Sequence, residues 1–208
     1  MTPRDHISVA APATVANLTV GFDCLGLALE RPLERLDLKR TDTPGVVIRE
    51  VIGADLPMQV EHNVSGMAAH SVLHTLGVNW GVELTIHKAV LPGSGIGSSA
   101  ASAASAAFGV AALAGADFRP DELLPMALDG AQVASGARHA DNVAPAIYGG
   151  FQASRTSRVA HRESQVAWRV AVGPRQLVRL RALQILSFRC SCHVRKRCTS
   201  LLSAQLPC

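Results

Sequence analysis

An α+β fold is predicted by the order in which hydrophobic periodicities follow one another along these 208 residues. Alternating apolar runs come first, a strand feeding a glycine-rich loop and a small-residue helix comes next, and further helix follows. That order differs from the regular strand–helix alternation of a parallel α/β sheet. The length suits one large domain or two small ones, with enough chain for a real core.

Residues 7–13 alternate and predict a strand, and residues 16–23 predict a loop with a glycine turn at Gly21. A second apolar run covers 24–29. Residues 33–39 alternate through Leu33, Leu36 and Leu38, and 45–51 read as another strand. Residues 62–76 have helical spacing, with Val64, Met67, Ala68, Val72 and Leu76 near one face and Gly77 as the stop. Residues 82–89 set Val82, Leu84 and Ile86 against Glu83, Thr85 and His87, a strand that runs into the glycine loop. Residues 100–114 predict a buried helix with a surface small enough for close packing. Residues 120–134 predict another, with Asp121 and Glu122 in the first turn where they suit the dipole. Residues 135–150 read as a loop dense in polar groups. Beyond Phe151 the pattern fades: 166–172 suit a strand, and 177–186 suit strand or helix.

The chemistry concentrates in Leu91-Pro92-Gly93-Ser94-Gly95-Ile96-Gly97-Ser98-Ser99-Ala100-Ala101-Ser102. Glycine lets backbone N–H groups approach an anion closely because no Cβ intervenes. The helix that follows aims free N–H groups and the positive end of its dipole at the same spot. Ser98 and Ser99 can offer hydroxyls to a phosphate or to Mg²⁺. The loop is not a Walker A motif, since it holds no lysine and no Gly-Lys-Ser/Thr. Nor is it a Rossmann fingerprint, since the last glycine is wrongly spaced and no acid follows at the ribose distance. A flexible turn before a buried helix explains the glycines equally well; the serines at the helix start favour phosphate.

Two other segments carry dense polar groups. Ser135-Gly136-Ala137-Arg138-His139-Ala140-Asp141-Asn142-Val143-Ala144-Pro145 could bind a small polar substrate through His139, Asp141 and Asn142. Read alone, it is slightly better explained as a capped turn. Asn17-Leu18-Thr19-Val20-Gly21-Phe22-Asp23 could orient a substrate hydroxyl through Asp23, with an Asx-turn as the plainer reading.

Taken in order, Ala11-Pro12-Ala13, the 17–23 segment, the glycine loop and His139-Ala140-Asp141-Asn142-Val143-Ala144-Pro145 closely resemble the homoserine kinases of the GHMP small-molecule kinase superfamily. The likeness covers about residues 6–152. It implies a GHMP-kinase N-terminal domain, of the ribosomal protein S5 domain 2-like type, over residues 1–152. The ferredoxin-like C-terminal domain is then largely absent or degenerate over 153–208. It implies ATP-dependent phosphorylation of L-homoserine to O-phospho-L-homoserine in threonine biosynthesis. By that pattern, the loop from Pro92 to Ser102 wraps the ATP phosphates and Ser98 lies near Mg²⁺. Asn63 and Val64 match the adenine-contacting segment, and Asn17, Asp23, His139 and Asp141 match the homoserine pocket, with Asp23 holding the attacking hydroxyl. Another GHMP kinase for a small alcohol, or a non-catalytic fragment, are the alternatives.

Two departures qualify the resemblance. Where the family carries a Mg²⁺-binding glutamate, this chain has Ala131, whose methyl group offers no hard oxygen. Asp129, two residues away, is expected on the wrong helix face, so impaired turnover is expected. The end of the chain also changes character. Residues 1–150 carry a net −6, from nine Lys/Arg against fifteen Asp/Glu, while 151–208 carry +10, from eleven against one. Four of the five cysteines, Cys190, Cys192, Cys198 and Cys208, lie there too. A shifted reading frame with a premature stop is the favoured account of 153–208. A basic nucleic-acid-binding appendage comes second, with little lysine and no interleaved aromatics to support it. A zinc site from Cys190, Cys192, His193 and Cys198 comes third. Residues 1–8 are polar, which argues against a secretory signal, and the alanine-rich run at 100–116 is too short for a membrane span. The chain therefore reads as cytoplasmic, with no membrane partner; the resemblance implies ATP and L-homoserine as ligands, a nucleic-acid partner is not favoured, and a homodimer is an option.

Overall fold

The computed structural model describes residues 4–18, 21–155, 158–161, 168–171 and 177–180. Strand β1 (His6–Asn17) pairs antiparallel with β2 (Gly21–Thr41), a strand of 21 residues. Thus strand occupies both ends of the expected 16–23 loop, up to Asn17 and from Gly21, and the two apolar runs at 24–29 and 33–39 join into one strand. The register explains the length. Pro12 faces Leu33 but Thr14 faces Ala28, so residues 29–32 have no partner on β1 and the strand continues beyond them. Strand β3 (Gly45–Ile52) runs parallel to β4 (Gly81–His87), which runs antiparallel to β2. Strands β5 (Phe151–Arg155), β6 (Arg158–His161), β7 (Trp168–Ala171) and β8 (Leu177–Leu180) complete an eight-stranded sheet in the order β3-β4-β2-β1-β7-β8. In it β5 pairs with β2, and β6 with β5. Strands therefore lie within both stretches expected at 166–172 and 177–186; residues 166, 167, 172 and 181–186 lie outside the described residues.

One face of the sheet carries Ile7, Val9 and Ala11 of β1, Leu36 and Leu38 of β2, and Val82, Leu84 and Ile86 of β4, all buried. The period of two along each strand puts them on that face. Against it packs α2 (Ser98–Ala114), buried nearly all round because most of its positions are alanine, serine or glycine. Bulk would not fit: a Cβ on Gly109 would stand 2.6 Å from a methyl of Leu38. Helices α1 (Val64–Leu76) and α3 (Pro120–Ser135) flank α2 and close the core.

The helix boundaries follow local chemistry. Asn63 caps α1, its Oδ1 accepting from the Gly66 N–H at 3.1 Å, and Gly77 ends it in the left-handed region at φ 61°. A short 3₁₀ turn (Val60–His62) precedes the cap, so the regular helix starts two residues later than its periodicity suggests. Pro120 opens α3, and Glu122 accepts from the Arg119 N–H at 2.7 Å. Residues 135–150 are not the loop expected: Ala140–Tyr148 form a fourth helix, α4. Pro145 conceals it in the sequence, because proline supplies no N–H to the Asp141 carbonyl one turn earlier. That carbonyl lies against β2, where a Cβ on Gly26 would come within 1.7 Å of it. Among the described residues, no helix is long and apolar enough to cross a membrane.

Candidate active site

The glycine loop leaves β4 and enters α2 through three left-handed glycines, Gly93 at φ 77°, Gly95 at φ 75° and Gly97 at φ 67°. Leu91 to Gly95 are exposed. Gly97 is the N-cap of α2 and lends no side chain to the first turn, so the helix presents its N–H groups to the loop. The Ala101 N–H bonds to the Gly97 carbonyl at 2.9 Å, and the Ile96 carbonyl accepts from the Thr14 N–H at 3.1 Å, which ties the loop to β1. Two hollows lie away from the loop, one beside the end of β4 and one between α1 and α3.

Ser98 faces inward. Its hydroxyl donates to the Val90 carbonyl at 2.6 Å and accepts from Lys88 Nζ at 2.8 Å. The bond to Val90 joins the entrance of the loop to its exit. Asn63 is buried, and its amide is engaged at both ends, with Gly66 on the oxygen and the Pro57 carbonyl on the nitrogen at 2.8 Å. Val64 opens α1 beside it, half-buried.

The second cluster forms where β1 ends, β2 begins and α4 starts. Asn17 and Asp23 both adopt positive φ, 68° and 52°, and Asn17 Oδ1 accepts from the Asp23 N–H at 2.8 Å. Left-handed backbone at a non-glycine residue is strained and concentrates at functional sites. His139 Nδ1 approaches Asp23 Oδ2 at 3.7 Å. Asp141, in the first turn of α4, is buried and accepts from the Asn142 N–H at 3.0 Å. Burial pushes its carboxyl above the ordinary carboxylate range, and the neighbouring Asp23 adds to that, against the pull of the Asn142 N–H and His139. The fold therefore gathers Asn17, Asp23, His139 and Asp141 from positions more than a hundred residues apart.

Two further residues join this cluster to the loop, and sequence reading did not single out their contact. Thr14, fully buried on β1, donates its hydroxyl to Asn142 Oδ1 at 2.8 Å. Gly97 sits directly against both, since a Cβ there would meet Thr14 Oγ1 at 2.0 Å and Asn142 Oδ1 at 3.0 Å. No local pattern marks this contact, which spans 128 residues.

The described residues fit a phosphate group better than a Mg²⁺ ion. Mg²⁺ seeks several hard oxygens in octahedral geometry. Ser98 offers one neutral oxygen, with the Lys88 ammonium already 2.8 Å from it. Ala131 is buried in the core. Asp129 is committed to Arg138 at 2.7 Å and to the Ser71 hydroxyl at 2.7 Å. Among the described residues, no group of three His, Cys, Asp or Glu side chains could hold a metal ion. Cys190, Cys192, His193 and Cys198 lie outside the described residues.

Residues 62–150 match the model of the GHMP kinases N terminal domain. A homoserine kinase of Natronomonas pharaonis is 41% identical over 160 residues, which is 77% of this chain and 53% of that protein. One from Methanococcus maripaludis is 39% identical over 146 residues, 70% of this chain and 48% of that protein. The crystal structure of homoserine kinase from Cytophaga hutchinsonii superposes with a TM-score of 0.73 at 39% identity, over 77% of this chain and 52% of that one. The mevalonate kinase of Methanococcus jannaschii shares the fold alone, with a TM-score of 0.61 at 13% identity over 77% of this chain and 56% of that one. The chain spans about half the length of the curated relatives it matches.

Proposed function

Because this chain carries a GHMP kinase N-terminal domain, we propose that it binds ATP at the glycine loop and phosphorylates the side-chain hydroxyl of L-homoserine. Residues 1–152 form the nucleotide-binding unit. The observation that carries the reading is the contact of two sites: a loop of left-handed glycines at an uncapped helix N-terminus, joined through Thr14 and Asn142 to the Asn17–Asp23–His139–Asp141 cluster.

The ATP phosphates lie over the N–H groups of Gly93 to Ser99, where backbone dipoles neutralise their charge. Asn63 and Val64 border the adenine. Asn17 fixes the Asp23 backbone, Asp23 accepts a hydrogen bond from the substrate hydroxyl, and His139 and Asp141 hold the amino-acid end. In the transfer, the hydroxyl oxygen bonds to the γ-phosphorus as the bond to the β-bridging oxygen breaks, and ADP leaves with that electron pair. The hydroxyl proton passes to solvent or to the phosphoryl oxygens. A loose transition state asks mainly for positioning and charge neutralisation, so no strong base is needed.

The test is direct. Purified protein with ATP, Mg²⁺ and L-homoserine yields ADP and O-phospho-L-homoserine if the reading holds. ATP binding without turnover would support only its nucleotide half. No ATP binding, with salt-sensitive retention on nucleic acid, would overturn it in favour of a basic binding module.

A further inference from the structure

Under the glycine loop lies a buried ion pair that the proposed reaction does not use. The side chains of Lys88 and Glu34 are 1% and 0% exposed, with Nζ and Oε1 2.6 Å apart. Alternation places them there. Glu34 is in phase with Leu36 and Leu38, and Lys88 follows Leu84 and Ile86 in the same phase. The antiparallel register that sets Arg35 against His87 brings Glu34 opposite Lys88 at the next step. The second carboxylate oxygen, Glu34 Oε2, is buried with no hydrogen-bond partner. Burying two charges and leaving one oxygen unpaired is a poor way to gain stability.

The geometry suggests what the pair does instead. Lys88 Nζ donates to Ser98 Oγ at 2.8 Å and to Ser102 Oγ at 2.9 Å, on successive turns of α2. The Ser102 hydroxyl in turn donates to Glu34 Oε1. The ammonium thus joins the end of β4 to the first turn of the phosphate helix. It also directs the Ser98 hydroxyl toward Val90, closing the loop. At 1% exposure it does not reach the loop surface, so it acts through Ser98 and the helix. We propose that Lys88 is a positioning residue that sets the glycine loop for phosphate binding, and that Glu34 is the anchor that keeps the ammonium beneath the loop. The inference rests on the reading that this loop holds the phosphates of ATP.

The experiment compares ADP with adenosine by titration calorimetry, with EDTA present so that no metal contributes. Lys88→Met leaves Glu34 unpaired, so it serves as a comparison where its melt is cooperative. The double variant Glu34→Met/Lys88→Met avoids that difficulty, because a buried pair replaced by apolar side chains of similar volume is commonly tolerated. The double variant should bind ADP at least tenfold more weakly than the wild type while its adenosine affinity changes less than twofold. A merely structural role would weaken both ligands together, and that result would overturn the inference. A wild-type preference for ADP over adenosine that survives intact in the double variant would also overturn it. If the wild type itself binds ADP no better than adenosine, the phosphate-loop reading fails, and this inference fails with it.

Discussion

Gly97 and Gly93 offer a matched pair of substitutions, because their backbones are alike and their surroundings differ. Gly97 has φ 67° and Gly93 has φ 77°, so alanine at either is forced into the left-handed region at about 1 kcal/mol or somewhat more. Around Gly93 a new Cβ meets nothing within 4 Å, whereas at Gly97 it meets Thr14 Oγ1 at 2.0 Å. Thr14 is fully buried, so it must rotate, lose its bond to Asn142 and leave a hydroxyl unpaired, at a further cost of about 1–3 kcal/mol. Gly97→Ala should therefore destabilise by about 3 kcal/mol in all, and Gly93→Ala by about 1. For a chain of this size those values correspond to melting-point drops of roughly 6–12 °C and 2–4 °C. Thermal melts followed by circular dichroism read the difference directly. Equal drops for the two variants would refute the reasoning, since backbone strain alone would then account for both.

Asp37 should govern part of the acid limb of stability. Burial raises its carboxyl, but hydrogen bonds from Ser8, Arg35 and His87 outweigh that and hold it below the ordinary 3.8. A carboxyl lowered in the folded state stabilises above its unfolded value, and that contribution is lost as pH falls through the folded value. Asp37→Asn should lower the melting point at pH 7 and flatten the acid limb below about pH 4; parallel curves for variant and wild type would contradict this. Asn63→Ala removes the α1 cap and its bond to Pro57, and should destabilise by about 1–2 kcal/mol in chemical denaturation. A denaturation midpoint unchanged from wild type would show that the cap is dispensable. Ala131→Glu places a carboxylate at a buried position. It should lower the melting point in EDTA and gain stabilisation from Mg²⁺ with ADP that the wild type lacks. A Mg²⁺ response no larger than that of the wild type would sink the idea that position 131 can supply the metal ligand.

Much of the fold was legible because its elements obey simple periods. The alternation of 82–89 and 33–39 marks strands, and the small residues of 100–114 mark a helix that must be buried on most sides. The glycine loop stood out because glycine is the residue that adopts left-handed backbone without strain, and three of its glycines do so. Other features resisted. Helix α4 was hidden by Pro145 and by the turn-forming Asp141 and Asn142, and the packing of Gly26 against the Asp141 carbonyl is a tertiary fact. The length of β2 was hidden because residues 29–32 interrupt its pairing with β1. Lys88 ends a strand that reads as ordinary. Its importance appears only when the register places Glu34 opposite it, 54 residues away in sequence.

By itself the sequence determined the local chemistry: which segments alternate, which glycine stops α1, and which loop can receive an anion. Those depend on neighbours along the chain, on side-chain period and on the freedom of glycine at φ above zero. Tertiary structure alone decided which charges meet. It set Lys88 against Glu34 and Ser98 under the loop, and it brought Thr14 and Asn142 together beside Gly97. The physical reason is that strand register and helix packing fix distances between residues that share no local pattern. A buried charge takes its meaning from the partner those distances supply.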